Sequence, residues 1–79
     1  MNYHDYIIRD PQICGGHPVI KGTRVTLKTI LASLAEGART EEILQDFPSL
    51  TEDDVRAVIA FAATSAEEDL PLPSVPVIV

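Results

Sequence analysis

The chain has 79 residues, 46% of them hydrophobic, a single cysteine and a formal net charge of −6. That length supports one domain, which buries only roughly 60% of its unfolded surface, so its stability is expected to lean on a second copy or a partner. An internal disulfide is excluded, no run approaches the ~18 apolar residues of a membrane span, and no charged-then-apolar leader opens the chain; a soluble, cytoplasmic protein with no membrane partner is expected.

The net charge hides an asymmetry. Met1 to Arg39 carries Arg9, Lys21, Arg24, Lys28 and Arg39 against Asp5, Asp10 and Glu36, five against three, or +2. Thr40 to Val79 carries Arg56 alone against Glu41, Glu42, Asp46, Glu52, Asp53, Asp54, Glu67, Glu68 and Asp69, one against nine, or −8. A phosphate-binding surface belongs in the first half. The second half repels phosphate and attracts a basic protein.

In chain order, Tyr6–Arg9 reads as a short strand closed by the turn signal Asp10-Pro11. Ile13-Cys14 adds a little extended backbone before the break at Gly15-Gly16. Then comes Gly15-Gly16-His17-Pro18-Val19-Ile20-Lys21-Gly22-Thr23-Arg24-Val25, in which Gly15, Gly16, Pro18 and Gly22 are the structural turn residues. Lys21-Gly22 is expected to join Val19-Ile20 to Thr23–Val25 as two short arms of a hairpin, with Gly22 supplying a positive φ. Arms this short must rest on helices or pair with a second chain.

Thr26 is the expected N-cap of a first helix, with Leu27, Ile30, Leu31 and Leu34 in one apolar stripe and Gly37 as its C′ residue. Thr40 is expected to cap a second helix, which has Glu41 and Glu42 in its first turn, Ile43, Leu44 and Phe47 on its apolar side, and Pro48 as its stop. Thr51 caps a third through a capping box closed by Asp54 at N3.

The third helix has a core stripe of Val55, Val58, Ile59, Ala62 and Ala66. A second uncharged stripe of Ala57, Ala60, Phe61 and Thr64 makes it apolar on two sides, whereas a three-helix domain covers only one. The second stripe is therefore a candidate interface with another copy or another protein. The chain closes on a proline-rich, uncharged segment, residues 70–79. Its Leu70, Leu72, Val75, Val77 and Ile78 suit an extended strand or polyproline II tail that docks on a partner, with a loose terminus as the alternative.

The basic turn precedes a helix N-terminus, where unpaired N–H groups and the dipole favour an anion. Lys21, Thr23, Arg24 and Lys28, with Arg39 near, are the candidate DNA-binding residues. Lys28 opposes the dipole in its own first turn, a placement that a bound anion would offset. For Lys21 and Arg24 the alternative is solvated turn residues, or an ion pair between Arg24 and the acidic half. The first turn of the third helix is a poor groove reader, because Glu52, Asp53 and Asp54 would meet the phosphates first.

Catalytic and metal sites fare poorly. Cys14 and His17 lack an orienting carboxylate nearby in sequence, and His4, Cys14 and His17 are too few to ligate a structural metal. No catalytic residue, metal, cofactor or small-molecule substrate is expected.

The block Gly15–Val25, with Asp10-Pro11 before it and Gly37 and Phe47-Pro48-Ser49-Leu50-Thr51-Glu52-Asp53-Asp54-Val55 after it, resembles the domain-of-unknown-function family numbered 433. The likeness runs from about Tyr6 to Ala63. That family is similar to VapB-type antitoxins with a helix-turn-helix fold, whose genes often neighbour a PIN-like ribonuclease toxin. The resemblance implies a toxin-neutralising protein that also represses its own operon. It does not reach the tail.

The expected fold is mainly α: a three-helix, helix-turn-helix-like domain over residues 1–69, preceded by a short β hairpin, with an extended Pro-rich C-terminal tail over 70–79. The expected function is an antitoxin that binds a PIN-like ribonuclease and, as a homodimer, its operator DNA. The alternative is an interaction or dimerisation module without DNA binding.

Overall fold

The computed structural model describes residues 2–68. The interface residues expected in the tail, Leu70, Leu72, Val75, Val77 and Ile78, lie outside them.

Two short strands, β1 (Ile7–Ile8) and β2 (Val19–Ile20), precede three helices, α1 (Leu27–Ala35), α2 (Thr40–Asp46) and α3 (Glu52–Glu68). The expected architecture of three helices behind a short antiparallel hairpin is the one observed. The pairing inside the hairpin differs. β2 takes β1 as its ladder partner, with Ile7 opposite Ile20 and Ile8 opposite Val19. The Thr23–Val25 arm bonds to β2 only at Ile20, whose N–H donates to the Val25 carbonyl at 3.0 Å and whose carbonyl accepts from Thr23, and it leads to a single bridge between Val19 and Thr26. The choice follows burial, since Ile7, Val19 and Ile20 all enter the core while Arg24 must stay in water.

The β1–β2 connection holds a left-handed turn. Cys14, Gly15 and Gly16 take φ of 49°, 65° and 83°, and the Ile13 and Cys14 carbonyls accept from Gly16 N–H and His17 N–H. Two of the three positions are glycines, which adopt this region without the Cβ clash.

Thr26 caps α1 as expected, its hydroxyl accepting from Thr29 N–H at 3.2 Å. Gly37 ends the helix at φ +96°. Thr51 and Asp54 form the expected reciprocal box on α3: Thr51 N–H donates to Asp54 Oδ2 at 2.9 Å and Asp54 N–H to Thr51 Oγ1 at 3.2 Å. At α2 the cap is Arg39 rather than Thr40, which is already helical. Glu42 reaches back to accept from Arg39 N–H at 3.1 Å, so a carboxylate three residues on replaces the hydroxyl cap.

The core is built from Ile7 and Ile20 of the strands, Leu27 and Ile30 of α1, Ile43 of α2, Leu50 of the α2–α3 turn, and Val55, Ala57 and Val58 of α3. α3 packs on α1, on α2 and on the short 3-10 turn Tyr3–Asp5. That turn moves the inward face of α3 around its axis. Ala57, placed on an outer interface by periodicity, is fully buried, and Phe61 meets Tyr3 edge-on, with ring centroids 5.4 Å apart and planes at 87°. Conversely Ile59, placed in the core, is 48% exposed, and Ala66 is exposed too.

Candidate functional site

The basic turn is fixed from within. Gly22 has φ +83°, and the Ile20 carbonyl accepts from both Thr23 N–H, at 3.0 Å, and Thr23 Oγ1, at 2.8 Å. The same hydroxyl accepts from Val25 N–H at 3.0 Å. Thr23 is thus a strut of the turn, and its half-buried hydroxyl is occupied internally rather than offered to a phosphate. Lys21 N–H donates to the Tyr6 carbonyl at 2.8 Å, tying the turn to the residue just before β1. Lys21, Arg24 and Lys28 project from this frame as exposed side chains with no ion-pair partner among the described residues.

Arg39 behaves differently. Its Nε lies 3.4 Å from Glu42 and 3.8 Å from Glu41. With two carboxylates beside one guanidinium, the local charge at the start of α2 is net negative, and Arg39 falls outside the free cationic set.

The expected backbone anion cradle at the start of α1 is largely taken up. Leu27 N–H donates to the Pro18 carbonyl at 3.0 Å, and Thr29 N–H to the Thr26 hydroxyl. What remains there is a cavity of about 260 Å³ lined by His17, Pro18, Thr26 and Lys28. An anion at this position would meet side chains more than main chain.

Beside it, sharing Pro18, runs a groove of about 270 Å³ lined by Tyr3, His4, Ile7, Ile8, Arg9, Pro18 and Phe61. Ile8 pairs with Val19 at the end of the ladder, and the next residue of each strand, Arg9 and Pro18, lines this groove. Arg9 thus lines one hollow and His17 and Lys28 the other, the two meeting at Pro18, and among the described residues no carboxylate lines either. Sequence reasoning left Arg9 out, because its place depends on β1 being the partner of β2. A signal was present in the charge count, where Arg9 is one of five cations in the basic half.

The opposite character appears between α2 and α3. A groove of about 180 Å³ is lined by Thr40, Glu41, Glu52, Val55, Arg56 and Ile59. Of the expected helical interface residues, Ala57 is inside the core, Ala60 and Phe61 are half-buried, and Thr64 is half-buried with its hydroxyl donating to the Ala60 carbonyl at 3.1 Å. Cys14 Sγ donates to the Arg24 carbonyl at 3.4 Å, a structural contact between the left-handed turn and the basic one. Among the described residues no helix is long and apolar enough to cross a membrane.

Residues 7–62 match the model of the family described as "Protein of unknown function (DUF433)". A curated relative, "Uncharacterized protein y4eO" of Sinorhizobium fredii (strain NBRC 101917 / NGR234), is 36% identical over 58 residues, which is 73% of this chain and 26% of that protein. The chain thus spans about a quarter of the length of that relative. The crystal structure of a DUF433 member protein from Anabaena variabilis ATCC 29413 superposes with a TM-score of 0.72 at 32% identity, covering 78% of this chain and 61% of that one.

Proposed function

The chain belongs to the DUF433 family, and on that premise we propose that it is the antitoxin of a type II toxin–antitoxin pair. It neutralises a PIN-like ribonuclease by direct binding and autoregulates its operon by binding operator DNA. The observation that carries this reading is the spatial division of charge. Lys21, Arg24 and Lys28 stand free on and after the hairpin turn, with Arg9 and His17 lining the adjoining hollows, while Glu41, Glu42, Asp46, Glu52 and Asp53 gather exposed on α2 and the start of α3, with Asp5, Glu36 and Glu67 exposed elsewhere.

The basic side takes DNA phosphates, through point charges rather than a groove-reading helix. The acidic side, with Glu41, Glu42, Asp46 and Asp53 exposed, faces the toxin. A nuclease groove built to hold RNA phosphates is cationic, and a carboxylate-rich surface competes for it.

Two measurements test the reading. Titration of operon-upstream DNA in a mobility-shift assay is expected to give a complex that weakens steeply with salt. The double variant Lys21→Ala, Arg24→Ala lowers affinity across all sequences and flattens the salt slope by about 2. No salt-sensitive complex at micromolar protein, with or without toxin, overturns the DNA half and leaves an interaction module. Co-expression with the neighbouring gene's product is expected to yield a co-purifying complex and relief of toxicity; failure of both overturns the antitoxin half. Removing residues 70–79 in the same assay reads out the contribution of the tail.

A further inference from the structure

The outward face of α3 carries a strip that the domain itself leaves uncovered. Arg56, Ile59, Ala63 and Ala66 follow one another at three- and four-residue spacing and are all exposed, as is Glu67. Ile59 is the one exposed large hydrophobic residue among those described. The strip has a cation at its N-terminal end, an anion at its C-terminal end, and Ile59 and two alanines between.

Arg56 and Glu67 are three turns apart, so they lie within about 20° of each other on the same flank of the helix. Neither has an ion-pair partner among the described residues. A surface charged in this way is complementary to its own copy turned end for end. We propose that α3 pairs antiparallel with α3 of a second copy of this chain, across a twofold axis close to residue 61. Ile59 then lies against Ala63 of the second copy, and Ala63 against its Ile59. Each Arg56 meets the Glu67 of the other chain, so one self-complementary patch makes two ion pairs. Alanines at 63 and 66 let the two backbones approach closely. Glu52, the other charge in line with the strip, falls beyond the paired segment toward its N-terminal end, where α2 places Glu41.

The dimer is tested on the full chain alone, so its outcome is independent of toxin and DNA. Sedimentation equilibrium from about 1 µM to 1 mM is expected to show a monomer–dimer equilibrium. Ile59→Asp and, separately, Ala63→Lys are expected to weaken it at least tenfold, with unchanged far-UV circular dichroism because both positions face water. Arg56→Glu and Glu67→Arg each weaken it, and the two together on one chain restore it, which a general stability effect would not do. A monomer throughout the range overturns the inference and leaves the strip to another protein. A dimer indifferent to Ile59→Asp and Ala63→Lys, or one the double charge exchange fails to restore, overturns the proposed face.

Discussion

Gly22 illustrates how one residue decides the site. Its φ of +83° closes the turn that presents Lys21 and Arg24, and a Cβ built there would meet nothing within 4 Å. Gly22→Ala therefore introduces no clash with neighbours, only the backbone cost of a left-handed L-residue, about 1–2 kcal/mol. Chemical denaturation is expected to show that loss without a change in the cooperativity of unfolding. Thr23 is a second case. The sequence offers its hydroxyl to phosphate, but the fold binds it to Ile20 and Val25. Thr23→Val is expected to cost about 1 kcal/mol of stability, as a lost hydrogen-bond network member does, and to leave the salt slope of DNA binding unchanged. Arg39→Ala should likewise leave that slope unchanged, since its neighbours are Glu41 and Glu42. A lowered slope in either variant would return the residue to the phosphate-binding set.

The elements form because their ends are satisfied and one face of each is apolar. At α3 the box between Thr51 and Asp54 satisfies donors at the start of the helix. Thr51→Ala is expected to lower stability by about 1 kcal/mol, measured as a shift of the urea midpoint. In α1, Ile30 is fully buried in the core cluster. Ile30→Ala is expected to cost about 2–5 kcal/mol, a large share of the stability of so small a domain, so a substantial unfolded fraction should be visible by circular dichroism at 37 °C. The caps of α1 and α3 and the α1 stripe were legible beforehand because they depend on residues within one or two turns, whereas the α2 cap fell one residue earlier than expected, at Arg39. The orientation of α3 was not legible. From Ala57 to Ala66 it has no ionisable group, so periodicity alone admits two inward faces. Tyr3, which packs edge-on against Phe61, selects between them.

At the scale of the whole molecule, charge is segregated. Arg9 lines a groove with Pro18, and Pro18 also borders the hollow of His17 and Lys28, while Glu41 and Glu52, with Arg56, line the hollow between α2 and α3. Arg9→Ala is accordingly expected to weaken DNA binding and lower its salt slope by about 1, as one lost phosphate contact does. An unchanged slope would show that Arg9 lies outside the footprint.

The three helices, the caps of α1 and α3, the positive φ of Gly22, the division of charge between halves and the membership of DUF433 are all readable along the chain. Each of these is either local along the chain or a simple sum over it. The partner of β2, the inward face of α3, the α2 cap and the set of unpaired cations are instead settled by the folded structure. The first two depend on burial. Ile7 and Ile20 gain more by pairing in the core than Arg24 could, and Tyr3 covers one side of α3, leaving Ile59 in water. Contacts between residues distant in sequence, such as Tyr3 with Phe61 and Lys21 with Tyr6, carry no signature in local periodicity.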